Sequence, residues 1–242
     1  MNINECKLKL KDVSREGYVT SLRKGNTGIG YTLETLLGIE ENNDSGADID
    51  GSIELKAKRK FSRAKTTNFT QSPIWKRPIR SVVKEYGWPD KDNPERINLY
   101  TSLKYRNKSP QGLFVDIEDD NLFIKGKSGE KLAELPLEVL RFRYRKKFPN
   151  LILVLADRKK EKNKPERFHY NEAYYCTNII SEQIVKLLKN GKMIVDIRIW
   201  MDKNTGKLRD RGMAFRLSSK YTMELFENVE CVLPPEVKNE NS

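Results

Sequence analysis

The chain has 242 residues, enough for one large domain or two closely packed lobes around a sizeable core. It is 37% hydrophobic and 33% charged with no long apolar run, and its three scattered cysteines and single His169 exclude a disulfide framework, a zinc cluster or a histidine-based metal site. Lys and Arg outnumber Asp and Glu by 46 to 34, a net charge of +12, which points to a polyanionic partner, nucleic acid before membrane.

Residues 1–24 read as a helix with polar interruptions, ending in Arg23-Lys24. Gly25-Asn26-Thr27-Gly28-Ile29-Gly30 places three glycines in six residues, but no Gly-Lys-Ser/Thr follows, so a phosphate-binding P-loop is rejected in favour of a loop entering a helix. Leu33, Leu36 and Leu37 predict that helix over Tyr31–Ile39, with Gly38 as its stop and Glu34 one residue off the apolar stripe. Asn42–Gly46 is a polar turn cluster.

The stretch Gly46–Lys56 carries the chemistry. It reads as a short approach, a Gly51-Ser52 turn and a strand, on which Glu54 and Lys56 share one face and Ile53, Leu55 and Ala57 the other. Asp48 and Asp50 stand just before it, so an acid precedes an acid-x-lysine strand. Two carboxylates suit a hard cation beside a phosphate, and a lysine can position or activate the attacking water. From Leu55 to Lys84 there is no acidic residue, while Lys56, Lys58, Arg59, Lys60, Arg63, Lys65, Lys76, Arg77, Arg80 and Lys84 are basic, a phosphate-binding footprint.

Further along, Thr66–Ser72 is short and polar, Ile79–Tyr86 is predicted helical, and residues 88–110 read as loop-rich. Gly112–Ile117 and Asn121–Lys125 alternate across an acidic turn and predict a hairpin. A helix is expected after Pro136 within Leu132–Phe148, then a buried strand over Asn150–Ala156, a solvated charge run over Arg158–Arg167, and an amphipathic helix over Asn178–Leu188. Ile194–Trp200 and Ala214–Ser218 predict strands flanking a basic, glycine-containing loop. Asn228–Leu233 predicts a last strand and Pro234–Ser242 a frayed tail. Helices and strands interleave without a strict βα rhythm, so an α/β fold of the α+β, mixed-sheet kind is expected.

Several runs together resemble the MvaI/BcnI restriction endonucleases, relatives of the mismatch-repair nicking enzyme MutH within the PD-(D/E)XK superfamily. They are Lys24–Gly30 with Thr32–Gly38, Ala47-Asp48, Ile53-Glu54-Leu55-Lys56, Phe69–Pro73, Val195–Ile199 and Arg209–Arg216. The resemblance implies a restriction endonuclease-like core with two lobes forming a DNA-binding cleft. The whole chain, 1–242, is then one endonuclease domain, with a catalytic lobe over roughly residues 1–90. The remainder holds the recognition lobe, and 193–218 carry the base-reading residues.

It implies catalytic roles for Asp48, Glu54 and Lys56, with Glu34 among the metal-site surroundings. Asp48 and Glu54 would hold Mg2+, with Asp50 as the alternative to Asp48. Mn2+ is expected to substitute, and Ca2+ to bind without supporting cleavage. Relatives carry histidines in the C-terminal loop where this chain has Arg209 and Arg211, and arginine favours the guanine edge. Asp196, Arg198, Arg209, Arg211 and Arg216 are the expected base readers, and Lys58, Arg59 and Lys60 are expected on the DNA backbone.

The expectation is thus a Mg2+-dependent type II restriction endonuclease cutting double-stranded DNA at a short, G/C-rich site. It would act as a monomer in the cytoplasm, beside a cognate DNA methyltransferase and away from membranes. The rivals are a MutH-like strand nicker and a sequence-specific DNA-binding protein without cleavage.

Overall fold

The computed structural model describes residues 1–39, 47–62 and 64–235. The turn cluster Asn42–Gly46, Arg63 of the basic run and the tail from residue 236 lie outside the described residues. Two compact units emerge, and both are discontinuous in sequence. The first takes Met1–Arg63, Tyr144–Ile180 and Met223–Ser242, and the second takes Ala64–Arg143 and Ser181–Thr222. The expected catalytic lobe of about 1–90 therefore differs from the first unit, which the chain leaves at Arg63 and re-enters at Tyr144.

The first unit is a five-stranded mixed sheet. Val19–Thr20, Arg167–Ile179, Asn150–Lys159 and Ile53–Arg59 follow one another across it, and Phe226–Leu233 also pairs with Arg167–Ile179. Asn150–Lys159 runs parallel to Ile53–Arg59 and antiparallel to Arg167–Ile179. Its run Leu151-Ile152-Leu153-Val154 is fully buried, as a central strand covered on both faces requires. The helices Ile3–Arg15 and Gly28–Leu37 pack on this sheet, and Cys6, Leu10, Leu33 and Leu37 meet Ile53, Leu55, Ile152, Val154, Phe168 and Tyr170 in one core.

Local chemistry sets the element ends. Asn2 and Glu5 form a reciprocal capping box that starts the first helix, which stops at Arg15, well short of residue 24. The second helix begins at Gly28, three residues before the predicted start, and ends on Gly38 in the left-handed conformation.

The second unit holds two antiparallel sheets. One orders Thr66–Gln71, Met213–Leu217, Ile194–Asp202, Arg96–Leu103 and Trp88–Pro89, with Leu208–Asp210 also paired to Ile194–Asp202. The other orders Ile74–Trp75, Lys131–Pro136, Asn121–Lys125 and Phe114–Glu118. The predicted hairpin forms on a two-residue Asp119-Asp120 turn, both residues at positive φ. Arg96–Leu103 corrects the loop-rich reading of 88–110, because Leu99 and Leu103 alternate inward against the central strand. Arg167–Ile179 is likewise a long strand beyond the charge run, and the helix expected over Asn178–Leu188 is Glu182–Lys189.

A charge cluster braces the hairpin. Asp116 is buried and accepts from Lys125 Nζ at 2.9 Å and Arg106 Nε at 2.8 Å. Burial pushes its carboxyl up, but these two cations outweigh that and hold it at about 2. The folded value lies below the ordinary 3.8, so the stabilisation is present above 3.8 and is lost as pH falls through about 2. Asp116→Asn is expected to lower unfolding free energy by about 2 kcal/mol at neutral pH. Denaturant titrations should show the gap to wild type closing as pH falls through that window.

Candidate active site

The site is built on the strand Ile53–Arg59 and the hairpin that leads into it. Ile53 N donates to Ile49 O at 3.0 Å and Ile49 N returns a bond to Ile53 O at 2.9 Å. The reversal turns on Asp50 and Gly51, at φ 50° and 62°, so the tight turn falls one residue earlier than the predicted Gly51-Ser52. Two positive φ values are the mark of a type I′ hairpin turn, for which Asp-Gly is a preferred pair. Asp50 is exposed in this turn, at a positive φ. Asp48 folds back onto the strand, and its Oδ2 accepts from Leu55 N at 2.8 Å.

Glu54 is the centre. Ile53 and Leu55 go into the core, so alternation sends Glu54 and Lys56 to the opposite face together. Glu54 is only 3% exposed, and both of its oxygens are engaged by cations. Lys56 Nζ lies 2.9 Å from Oε1, and Lys147 Nζ lies 2.8 Å from Oε2. The Lys56 ammonium also sits 5.1 Å from the centre of the Phe148 ring. Burial is the main force on Glu54 and raises its pKa; the two lysines work against that and the neighbouring charge of Asp48 adds to it.

Lys147 and Phe148 were not singled out from the sequence. They stand at the C-terminal end of the helix Leu137–Lys147, some ninety positions from Glu54, and only the parallel pairing of the next strand, Asn150↔Ile53 and Leu151↔Glu54, brings them there. Glu34 lies half-buried on the helix Gly28–Leu37, which packs on the strand Ile53–Arg59, and its charge is felt by the Tyr170 hydroxyl.

At the far end of the strand the basic residues are woven into the first unit. Arg59 pairs with Glu166, donates to the carbonyls of Gly25 at 3.2 Å and Asn26 at 3.3 Å, and stacks over Phe168. It thereby pins the glycine-rich loop, in which a Cβ on Gly28 would come within 2.3 Å of the Arg23 carbonyl oxygen. Lys60 pairs with Glu172 at 3.1 Å, and Lys58 is buried.

In the second unit the expected readers gather on one sheet face. Asp196 Oδ1 accepts from Ser102 Oγ and its Oδ2 from Arg216 Nη1, both at 2.6 Å. Arg216 Nη2 also donates to the Lys65 carbonyl at 2.7 Å. Arg198 donates to Thr70 Oγ1 at 2.9 Å and to the Arg211 carbonyl at 3.4 Å. Arg209 pairs across the ladder with Trp200, and Arg209 and Arg211 are exposed. Tyr100, Ser102, Asp196, Arg198 and Arg211 line one concavity on this face. Ser102, Thr70 and Tyr100 are additions to the sequence-based set; Thr70 lies in the resembling run Phe69–Pro73, while Tyr100 and Ser102 fall in the stretch read as loop-rich.

Among the described residues no three His, Cys, Asp or Glu side chains come together as a metal cage. The Asp48–Glu54 pair offers oxygen donors only, and Glu54 is a buried carboxylate beside a second one. Such a pair fits Mg2+, which takes one or two carboxylates and completes its shell with water and substrate phosphate.

Burial raises the folded-state pKa of Glu54, so ionising it costs the folded protein more than the unfolded chain, and the stability it contributes at low pH is lost as pH rises from 4.5 through the folded value. Glu54→Gln mimics the protonated form. It is expected to raise the melting temperature in EDTA at neutral pH, as read by scanning calorimetry, and a lower melting temperature would contradict the sign.

Residues 7–226 match the MvaI/BcnI restriction endonuclease family. The solved restriction endonuclease MvaI in complex with its cognate DNA substrate has a TM-score of 0.77 at 26% identity, over 96% of this chain and 100% of that one. MvaI in the absence of DNA has a TM-score of 0.58 at 25% identity, over 96% of this chain and 99% of that one. No curated protein sequence matches. With a family match across most of its length and a restriction endonuclease-like fold, the chain belongs to the MvaI/BcnI restriction endonuclease family.

Proposed function

We propose that this nuclease is a type II restriction endonuclease that hydrolyses phosphodiesters of double-stranded DNA at a short, G/C-rich site with Mg2+. The observation that carries the reading is the buried Glu54 with Lys56 at 2.9 Å and Asp48 folded onto the same strand. Asp48 and Glu54 are the assigned metal ligands, with Mn2+ as a working substitute and Ca2+ as a non-productive one. A divalent cation there would polarise the phosphate and offset the negative charge that develops in the transition state. Lys56, paired with Glu54 at 2.9 Å and seated against the Phe148 ring, orients the attacking water and stabilises the same charge. Glu34 supports the site from the packed helix.

For recognition, we assign base reading to Asp196, Arg198, Arg209, Arg211 and Arg216. What supports it is that Asp196 and Arg198 share the strand face away from Val195, Ile197 and Ile199, and that hydrogen bonds fix Asp196 before any ligand arrives. Lys58, Arg59 and Lys60 are assigned to the DNA backbone, Arg59 and Lys60 by exchanging Glu166 and Glu172 for phosphate. A monomer acting on one strand at a time accounts for one Asp-Glu-Lys set per chain. A cognate methyltransferase in the same cytoplasm would protect the host DNA. Among the described residues no helix is long and apolar enough to cross a membrane.

Plasmid digestion tests the reaction. Wild type with Mg2+ is expected to linearise DNA at defined ends. Asp48→Ala, Glu54→Ala and Lys56→Ala should be inactive, while Asp50→Ala keeps cleavage. Nicked circles as the final product would favour the strand-nicking alternative, and binding without Mg2+-dependent cutting would favour the non-cleaving one.

Binding measured in Ca2+ tests recognition. Arg209→Ala or Arg211→Ala should cost about 1–3 kcal/mol on the specific site and relax the choice of base at one position. A uniform loss on all sequences would make them phosphate clamps. Affinity for non-specific duplex should fall on the order of a thousandfold between about 50 and 200 mM salt, and Arg59→Ala or Lys60→Ala should each reduce the salt slope by about 1.

A further inference from the structure

Lys147 has no part in the pattern that reveals the site, yet it holds the second oxygen of Glu54 at 2.8 Å. With Lys56 at 2.9 Å on the other oxygen, the buried carboxylate has an ammonium on each side. Asp48 and Glu54 carry two negative charges and Lys56 and Lys147 two positive ones, so these four groups balance before any cation arrives. A divalent ion bound to Glu54 would leave them two positive charges in excess, at a spacing where like charges repel strongly.

The construction of Lys147 suits a group that lets go. Its backbone is fixed, because it closes the helix Leu137–Lys147 and is followed by Phe148, which is 1% exposed and stacked on Tyr144 at 5.8 Å. Its side chain is 24% exposed, against 4% for the Glu54 side chain. The tip can therefore leave the carboxylate for water or for a phosphate oxygen without disturbing the core.

We propose that Lys147 is a cationic placeholder: it occupies the Glu54 oxygen on which a divalent metal must load, and metal entry displaces it. Lys147 is thus a positioning residue that holds the buried carboxylate in place, and it makes metal binding by the DNA-free protein weak. The phosphate that arrives with the substrate offers the displaced ammonium a new partner. The inference rests on the assignment of Glu54 as a metal ligand, and its test separates the two.

Mn2+ affinity of the full chain is measured without DNA, by the EPR signal of free Mn2+ at neutral pH, for wild type, Lys147→Met, Lys147→Arg and Glu54→Gln. Lys147→Met is expected to bind Mn2+ about tenfold more tightly or better, a change of about 1.4 kcal/mol. Lys147→Arg, which keeps the charge, should stay near wild type. Melting curves in EDTA establish that each variant is folded, and should Lys147→Met fail to fold, Lys147→Gln replaces it. Equal Mn2+ affinity in wild type and the neutral variants, with Glu54→Gln still abolishing binding, overturns the placeholder and leaves the metal site standing. Mn2+ binding unaffected by Glu54→Gln overturns the metal-ligand assignment itself.

Discussion

A carboxylate kept inside a protein is the constraint on which the first unit depends. Glu54 sits on a strand whose alternate residues are core, so its own side chain cannot reach bulk water. An ionised group in that position persists only with cations against it. One of them, Lys56, comes free with the strand, two residues on and on the same face. The other must be brought from a distance. The parallel pairing of Asn150–Lys159 with Ile53–Arg59 does this, because it fixes where the preceding helix ends and hence where Lys147 stands. A parallel neighbour preceded by a helix thus brings a helix terminus to the start of the strand that carries Glu54.

The second unit solves a different problem with simpler means. An antiparallel sheet can keep one face in the core and leave the other polar. Val195, Ile197 and Ile199 hold the strand down, while Asp196 and Arg198 stand on the other face and are tied to Ser102, Thr70 and Arg216 on flanking strands. Charged groups held by neighbours lose little freedom when they meet a ligand, which favours discrimination over mere attraction. Arg209 and Arg211 remain exposed beside them.

What was legible in the sequence was local. The Glu54-x-Lys56 alternation and the Asp196-x-Arg198 face depend only on period two, and in the structure Glu54 pairs with Lys56 opposite Ile53 and Leu55. Asp48 is preferred to Asp50 because it follows Ala47, where the family has proline before its aspartate; in the structure Asp48 accepts from Leu55 N and Asp50 stands in the left-handed turn. The strand Arg96–Leu103 escaped notice because Pro94 and the surrounding polar residues look like loop while its inward residues are few. Lys147 escaped for a deeper reason: no local pattern says that a basic helix end will meet a glutamate across so much chain. The interleaving of the two units has the same cause, since strand pairing joins Tyr144–Ile180 to the first unit. Acid-free basic sequence likewise does not say where charges point, and Arg59 and Lys60 turn out to be tied to glutamates of their own unit.

Asp48 and Glu54 are proposed to share one divalent cation. The most direct measurement is an anomalous-scattering map from crystals of the chain grown with Mn2+. The prediction is one strong peak bonded to both the Asp48 and Glu54 carboxylates, with the Lys147 ammonium moved off Glu54. A peak bonded to Asp50 in place of Asp48, or no peak at Glu54, would contradict it.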